Sequence, residues 1–262
     1  MTAADGAIVP IWARWDAPAH VRALTTTRSG GTSAAAFASL NLAAHVGDDP
    51  ARVAANRALL RAALDLPAEP SWLAQVHGCA VAAAGPAGAA PPEADAALTR
   101  TPGRVCAVLT ADCLPVLLTD RAGKVAAAAH AGWRGLLDGV LEATVAALDT
   151  APDDVFAWLG PAIGPDAFEV GPEVRDRFLA RGAESAAAFR RGRGDRWWAD
   201  LYLLARQRLA GVGVRRVTGG DFCTCSEPRR FFSYRRDGHT GRMASLIWLE
   251  PAGSAAGSGA GG

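Results

Sequence analysis

The sequence predicts an α+β fold in a single domain, and three observations lead there. Strand-like and helix-like apolar runs are interspersed along almost the whole chain. Its 262 residues, 50% of them hydrophobic, are enough to bury one substantial core. No segment recurs at a period of roughly 20 to 50 residues, so a solenoid or propeller has no support.

The elements follow in order. A short apolar start at Ile8 is broken at Pro18, and residues 21–27 then alternate with β-branched side chains, as a strand does. Ser29-Gly30-Gly31-Thr32-Ser33 makes a loop. Asp49 stands before Pro50, and Val53, Leu59, Leu60 and Leu64 follow at helical spacing, so a capped helix is expected over residues 50–64, closed by Pro67 and Pro70. Three strand-like runs come next, residues 71–76, 105–110 and 125–129, with a Gly/Pro/Ala stretch at 85–92 after the first. Residues 136–148 read as a helix and 155–159 as a strand; 173–181 and 199–209 are helical, and Phe222, Phe231-Phe232 and residues 244–249 suggest late strands. The alanine runs at 34–36 and 126–129 read as compositional bias. The last residues, 251–262, are almost all Gly, Ala and Ser, which predicts a disordered tail after a domain over residues 1–250.

Lysine and arginine total 27 against 26 acidic residues, so the broad positive field of a nucleic-acid or anionic-membrane binder is missing and the partner is expected to be a small molecule. Residues 1–16 lack a basic stretch followed by an apolar core, and no apolar run reaches membrane-spanning length. A cytoplasmic monomer or homodimer is expected. Five cysteines, an odd number in a chain of this size, fit reduced thiols better than a disulfide framework.

His77, Cys113 and His130 each stand at the end of one of the three strand-like runs. If those strands are neighbours pointing the same way, the three side chains gather at one sheet edge. Two imidazoles and a thiolate suit a zinc ion, with copper as second choice, and three protein ligands leave a fourth position open as in catalytic sites. A turn histidine and a buried filler cysteine would explain the same residues without a metal.

The motifs around these residues, Gln75-Val76-His77-Gly78, Thr110-Ala111-Asp112-Cys113-Leu114-Pro115-Val116 and His130-Ala131-Gly132-Trp133-Arg134-Gly135, resemble those of the laccase-domain family, also called YfiH-type or polyphenol-oxidase-like. Thr26-Thr27-Arg28-Ser29-Gly30-Gly31, Ser39-Leu40-Asn41-Leu42, His45-Val46-Gly47-Asp48, Gly160-Pro161-Ala162-Ile163-Gly164 and Phe232-Ser233-Tyr234-Arg235-Arg236-Asp237 extend the likeness over nearly the whole chain. The resemblance implies a mixed-sheet, layered α/β/β/α sandwich and a zinc held by His77, Cys113 and His130. It also implies phosphorolysis of adenosine, inosine, guanosine and S-methyl-5′-thioadenosine, with adenosine deamination beside it. Where many relatives carry cysteines after the Gly-Pro-x-Ile-Gly motif, this chain has Asp166-Ala167.

Multicopper oxidase chemistry is rejected at this point, because a blue-copper site plus a trinuclear cluster needs more than the five histidines present, and no His-x-His pair occurs. Phosphorolysis needs an anion clamp, and arginine matches phosphate oxygens best. Arg28, before a glycine-rich loop, and Arg134, four residues after His130, are the candidates. Asp112 could orient a ligand, move a proton or pair with Arg134, although side-chain alternation places it opposite Cys113 and favours a structural role. Asn41 and His45 are candidate substrate contacts. Cys223-Thr224-Cys225, Trp197-Trp198 and the aromatic and basic residues 231–236 are read mainly as structural, the last with a possible stacking role on a purine. ATP and dinucleotide loops are absent, as is the His-x-Glu and Pro-Cys-x-x-Cys pattern of cytidine-type deaminases. Two other functions stay open: a cysteine hydrolase or amidase built on Cys113 and His130, for instance on cell-wall precursors, and a purine-binding protein without turnover.

Overall fold

Two adjacent runs, Leu114–Asp120 and Ala126–Ala131, are buried at every position, and they mark the centre of the molecule. The computed structural model describes residues 6–86 and 88–251. Its strands are Ile11–Trp12 (β1), Val21–Thr25 (β2), Val81–Ala83 (β3), Ala96–Thr99 (β4), Val105–Thr110 (β5), Leu114–Asp120 (β6) and Ala126–Ala131 (β7), then Val155–Leu159 (β8), Glu169–Val170 (β9), Phe189–Arg191 (β10), Trp197–Ala199 (β11), Arg216–Gly219 (β12) and Met243–Leu249 (β13). The α-helices are Pro50–Ala63 (α1), Trp133–Asp138 (α2), Val140–Ala147 (α3), Pro172–Arg181 (α4), Leu201–Gly211 (α5) and Tyr234–Asp237 (α6). None is long and apolar enough to cross a membrane.

Strands pair into a four-stranded antiparallel sheet, β1-β2-β13-β5, and a six-stranded mixed sheet, β12-β8-β6-β7-β4-β3, with a small third sheet, β10-β11-β9. The period-two alternation of side chains then writes the layers. Leu117, Ala126 and Ala128 of the larger sheet meet Cys106, Val108, Ile247 and Leu249 of the smaller one. Their neighbours Val116, Leu118, Ala127 and Ala129 point the other way, onto Leu136, Leu137, Val140, Leu141 and Leu204 of the helices. On the far side of the smaller sheet, Leu24, Ala107 and Leu246 pack with Leu60 of α1 and with Leu40 and Leu42. This is the α/β/β/α sandwich. The alanines of β7 have a packing reason, since small side chains on both faces let a sheet and a helix layer approach one strand closely.

Helix α1 lies within one residue of its sequence expectation, and Asp49 caps it: the Ala51 N–H donates to Asp49 Oδ1 at 2.8 Å. Other elements correct the sequence reading. Residues 71–76 form no strand, only isolated bridges at Ser71 and Ala74. The Gln75 carboxamide fills the ladder position instead, accepting from Leu109 N–H at 2.7 Å and donating to Leu109 O at 2.9 Å. The helix expected over 136–148 is two helices broken at Gly139, whose φ of 110° ends α2 in the left-handed region. Phe231 and Phe232 lie in no strand; both are fully buried, against Ala111 and Met243. The expected tail, apart from Pro251, lies outside the described residues.

Candidate metal centre

Cys113 sits where the chain crosses from one sheet to the other. After β5 ends at Thr110, Ala111-Asp112-Cys113 carries it to β6. Asp112 holds the corner with a φ of 87°, and its carboxylate explains how a non-glycine residue stays there. Thr224 Oγ1 donates to Asp112 Oδ1 and the Arg235 amide donates to Oδ2, each at 2.6 Å. Asp112 is therefore a brace beside the site, paired with Thr224 and Arg235 rather than with Arg134.

His130 lies within β7, opposite Pro115 of β6. His77 lies in the loop after Gln75, with a φ of 63°. The three residues thus converge from a crossover, a strand and a loop, not from three parallel strand ends as the sequence suggested. Cys113 Sγ is 4.0 Å from His77 Nε2, the histidine rings meet edge to face with centroids 4.8 Å apart, and one ligand atom from each residue lies within 4.8 Å of the others. His130 is buried, Cys113 partly exposed and His77 exposed, so the site opens on the His77 side.

The donor set fits a metal ion. Metal–nitrogen and metal–sulfur bonds of roughly 2.1 and 2.3 Å place tetrahedral ligand atoms about 3.5 Å apart, which a small turn of the exposed His77 ring provides. Gly132 keeps the space beside the ligands clear: a Cβ there would stand 3.0 Å from Cys113 Sγ and 3.0 Å from His77 Cδ2.

Sequence reasoning missed Asp95. This carboxylate is fully buried just before β4. His130 Nδ1 donates to its Oδ1 at 2.8 Å, and three consecutive backbone amides close around it: His77 N–H on Oδ1 at 3.0 Å, Gly78 and Val76 N–H on Oδ2 at 2.7 and 3.2 Å. Burial works against its charge, but the His130 bond and charge and the backbone amides outweigh that and lower its pKa. The available signal was an acid in the apolar run Ala94-Asp95-Ala96-Ala97, since a buried charge has to be paired. The same logic acts on Cys113 and His130. Burial opposes both charged forms, yet the facing imidazolium, with hydrogen bonds from both histidines, brings the thiol down to about 6. The thiolate and Asp95 raise His130 to about 9. Both shifts favour the charged forms, each group acting on the other.

The other expected site residues are disposed unevenly. Arg28 spends its Nε and Nη1 on Ala38 O and Pro228 O, at 2.8 and 3.0 Å, with its guanidinium over the Phe232 ring. Asn41 is fully buried and turns inward, donating to Ala43 O and Asp48 Oδ2 and accepting from the Ala43 and Arg242 amides. Arg134, in the first turn of α2, lies exposed over the Trp133 ring. His45, at an exposed position, is held below its usual pKa by partial desolvation and then by the charges of Arg242 and Arg57. Arg242, which the sequence did not single out, is within electrostatic reach of both His45 and the Cys113 thiolate. Its Nη1 donates to Thr240 O and Gly241 O, and its guanidinium lies 5.9 Å from the centroid of the exposed Tyr234 ring.

Comparison with known proteins covers most of this chain. Residues 22–250 match the family described as multi-copper polyphenol oxidoreductase laccase. The chain is 56% identical over 242 residues to the protein named purine nucleoside phosphorylase YfiH of Escherichia coli (strain K12), covering 92% of this chain and 98% of that one. A purine nucleoside phosphorylase of Pseudomonas aeruginosa is 56% identical over 90% of this chain and 96% of its own. A crystal structure of a Neisseria meningitidis protein superposes with a TM-score of 0.89 at 51% identity, covering 92% of this chain and 99% of that one.

Proposed function

The chain belongs to the family described as multi-copper polyphenol oxidoreductase laccase, and from that premise we propose that it is a zinc-dependent purine nucleoside phosphorylase. Its substrates in this reading are adenosine, inosine, guanosine and S-methyl-5′-thioadenosine, with adenosine deamination as a second activity. The observation that carries the reading is the 56% identity, over nearly the full length of both chains, to relatives named purine nucleoside phosphorylase.

Phosphorolysis forms a bond from a phosphate oxygen to C1′ and breaks the C1′–N9 bond, whose electron pair leaves with the purine. The site must therefore hold an anion beside the sugar and accommodate negative charge on the departing base. His77, Cys113 and His130 would hold the zinc, which when bound supplies a Lewis-acid charge for that purpose. Arg242 and Arg134 are the arginines for phosphate in this reading, Arg242 because its charge acts on both His45 and Cys113. Arg28 then braces the loop that carries Asn41, and Asp112 fixes the corner that presents Cys113. His45 lines the same cationic side as a substrate contact, and Asn41 supports it by holding the Arg242 backbone.

The test follows release of free base from adenosine and inosine by chromatography, with and without phosphate, using metal-analysed protein and His77→Ala. Phosphate-dependent base and ribose 1-phosphate, lost in the variant, support the proposal. No turnover by zinc-loaded protein sinks it.

One observation favours a second reading. Asp95, His130 and Cys113 stand in the order of orienting carboxylate, base and thiolate nucleophile, the arrangement of a cysteine hydrolase. A metal on the thiolate excludes this role, so the zinc content of the isolated protein separates the two.

A further inference from the structure

Asp95 touches two of the three metal-ligand segments at once. Its oxygens receive the Val76, His77 and Gly78 amides from one ligand's loop and Nδ1 of the other histidine ring, and the residue is fully buried. Every partner is an N–H donor, so the carboxylate serves as an acceptor through both oxygens, as an ionised group does. His130 must then carry its proton on Nδ1, which leaves Nε2 bare for a metal.

The charges can be counted. With neutral imidazoles, the Cys113 thiolate and Asp95 contribute one negative charge each, which a divalent ion cancels. Arg242 interacts with the thiolate, and its own charge is offset by Asp112, one charge of each sign. A monovalent ion would leave one negative charge uncompensated beside the buried His130, and such a charge is costly where water is excluded. Thiolate and imidazole by themselves do not make this distinction, because both ligate copper(I) as readily as zinc.

We propose that Asp95 is the positioning residue that sets the preference of this site for divalent zinc over monovalent copper, through a buried charge locked to the His77 loop and the His130 ring. The inference rests on the metal-site reading of His77, Cys113 and His130 and adds to it the residue that chooses the ion.

The test compares wild type with Asp95→Asn, which keeps the shape, removes the charge and turns one accepting oxygen into a donor facing N–H groups. Zinc(II) affinity is measured by competition with a chromophoric chelator, and copper(I) affinity by competition with a copper(I) chelator without oxygen. Zinc affinity is expected to fall about 10- to 100-fold, the usual cost of losing a partner behind a metal ligand. Copper(I) affinity is expected to fall at least about tenfold less, a change in ratio that loss of loop order alone would not produce. Equal losses for both ions, or no loss for zinc, would overturn the proposal while leaving the metal site in place. Wild type that binds no zinc would overturn the metal site and this inference with it. Should Asp95→Asn fail to fold, imidazole nitrogen NMR of the zinc-loaded wild type decides: a protected Nδ1–H and a metal-bound Nε2 on His130 support the assignment, and metal on Nδ1 refutes it.

Discussion

Gly132→Ala separates the metal site from the fold that carries it. Gly132 has φ −62° and ψ 156°, a conformation any residue adopts, so the substitution brings no backbone strain. The added methyl would lie 3.0 Å from both Cys113 Sγ and His77 Cδ2. Ordinary contact for carbon is roughly 3.5–4.0 Å, so each gap has to open by at least about half an ångström. In metal-free protein the exposed His77 ring swings aside at little cost. With the metal bound, His77 and Cys113 are tied to one ion and the overlap has to be absorbed, for about 1–3 kcal/mol, the range of one extra methyl in a packed site. Converted at about 1.4 kcal/mol per decade, that is a 5- to 150-fold loss of zinc affinity. Metal-free stability should change by less than about 1 kcal/mol, because alanine's restriction of the unfolded chain offsets the Cys113 contact that remains. Chelator competition reads the first quantity and thermal melts in excess chelator the second. Zinc affinity within about twofold of wild type would refute the packing argument, as would a metal-free melt several degrees lower.

Four further outcomes are expected. His77→Ala, at an exposed position, should abolish phosphate-dependent base release while circular dichroism and melting stay near wild type; global unfolding of this variant or of Cys113→Ala would contradict a site that sits at the end of an independent core. Arg242→Gln should raise the KM for phosphate about 10- to 150-fold, the worth of a charge-assisted hydrogen bond, with zinc content unchanged; an unaltered KM removes Arg242 from the clamp. Asp49→Ala deletes the α1 cap bond and should cost about 1 kcal/mol in urea unfolding without changing activity, whereas Leu117→Ala, fully buried between the sheets, should cost about 2–5 kcal/mol. His45 has its pKa lowered from 6.5 in the folded chain, so the unfolded chain binds more protons and stability falls as pH drops through that value. His45→Gln should flatten melting temperature between roughly pH 7.5 and 5.5, and an unchanged slope assigns the dependence elsewhere.

What the sequence shows of this fold follows the range of the forces involved. Helix α1 is written locally, by a cap, an N-terminal proline and a periodic apolar stripe, and the structure has it almost residue for residue. Strands β5 and β8 are apolar runs of the right length and fall where the sequence reading puts them. The reading failed where a distant partner decides. Residues 71–76 have strand composition, but a side chain, Gln75, makes the pairing with Leu109, and no local pattern reveals that. The alanines of β7 carry little strand preference of their own and are held in register by Leu114 and Val116 through Thr119 on one side and β4 on the other. The grouping of His77, Cys113 and His130 as a candidate metal site was legible as residue types at strand ends, whereas its geometry was not, because Cys113 belongs to a crossover between two sheets. Asp95 and Arg242 stayed hidden for the same reason: each matters through partners 17 or more positions away in the chain.

The family's description speaks of several coppers, and the placement of the five histidines bears on whether that chemistry reaches this chain. His20 Nε2 is bonded to Gly123 O at 3.0 Å and His239 Nε2 to Val46 O at 2.9 Å, so each is tied to backbone outside the cluster. His45 faces arginines, whose charge repels a cation. That leaves His77 and His130, and among the described residues they join Cys113 in one three-residue group suited to a metal. A trinuclear copper cluster needs its own set of imidazoles besides those of a blue-copper site, and two histidines cannot supply both. The group that is present also differs in kind. Its thiolate, its one carboxylate-anchored imidazole and its solvent-facing imidazole make a closed side and an open side, His130 buried on Asp95, His77 exposed and Cys113 intermediate. A single ion held this way keeps an accessible position for a ligand, which electron transfer through a buried copper does not require and a Lewis-acid role does. Shared architecture therefore passes on the site's position, and the residues at that position decide its chemistry.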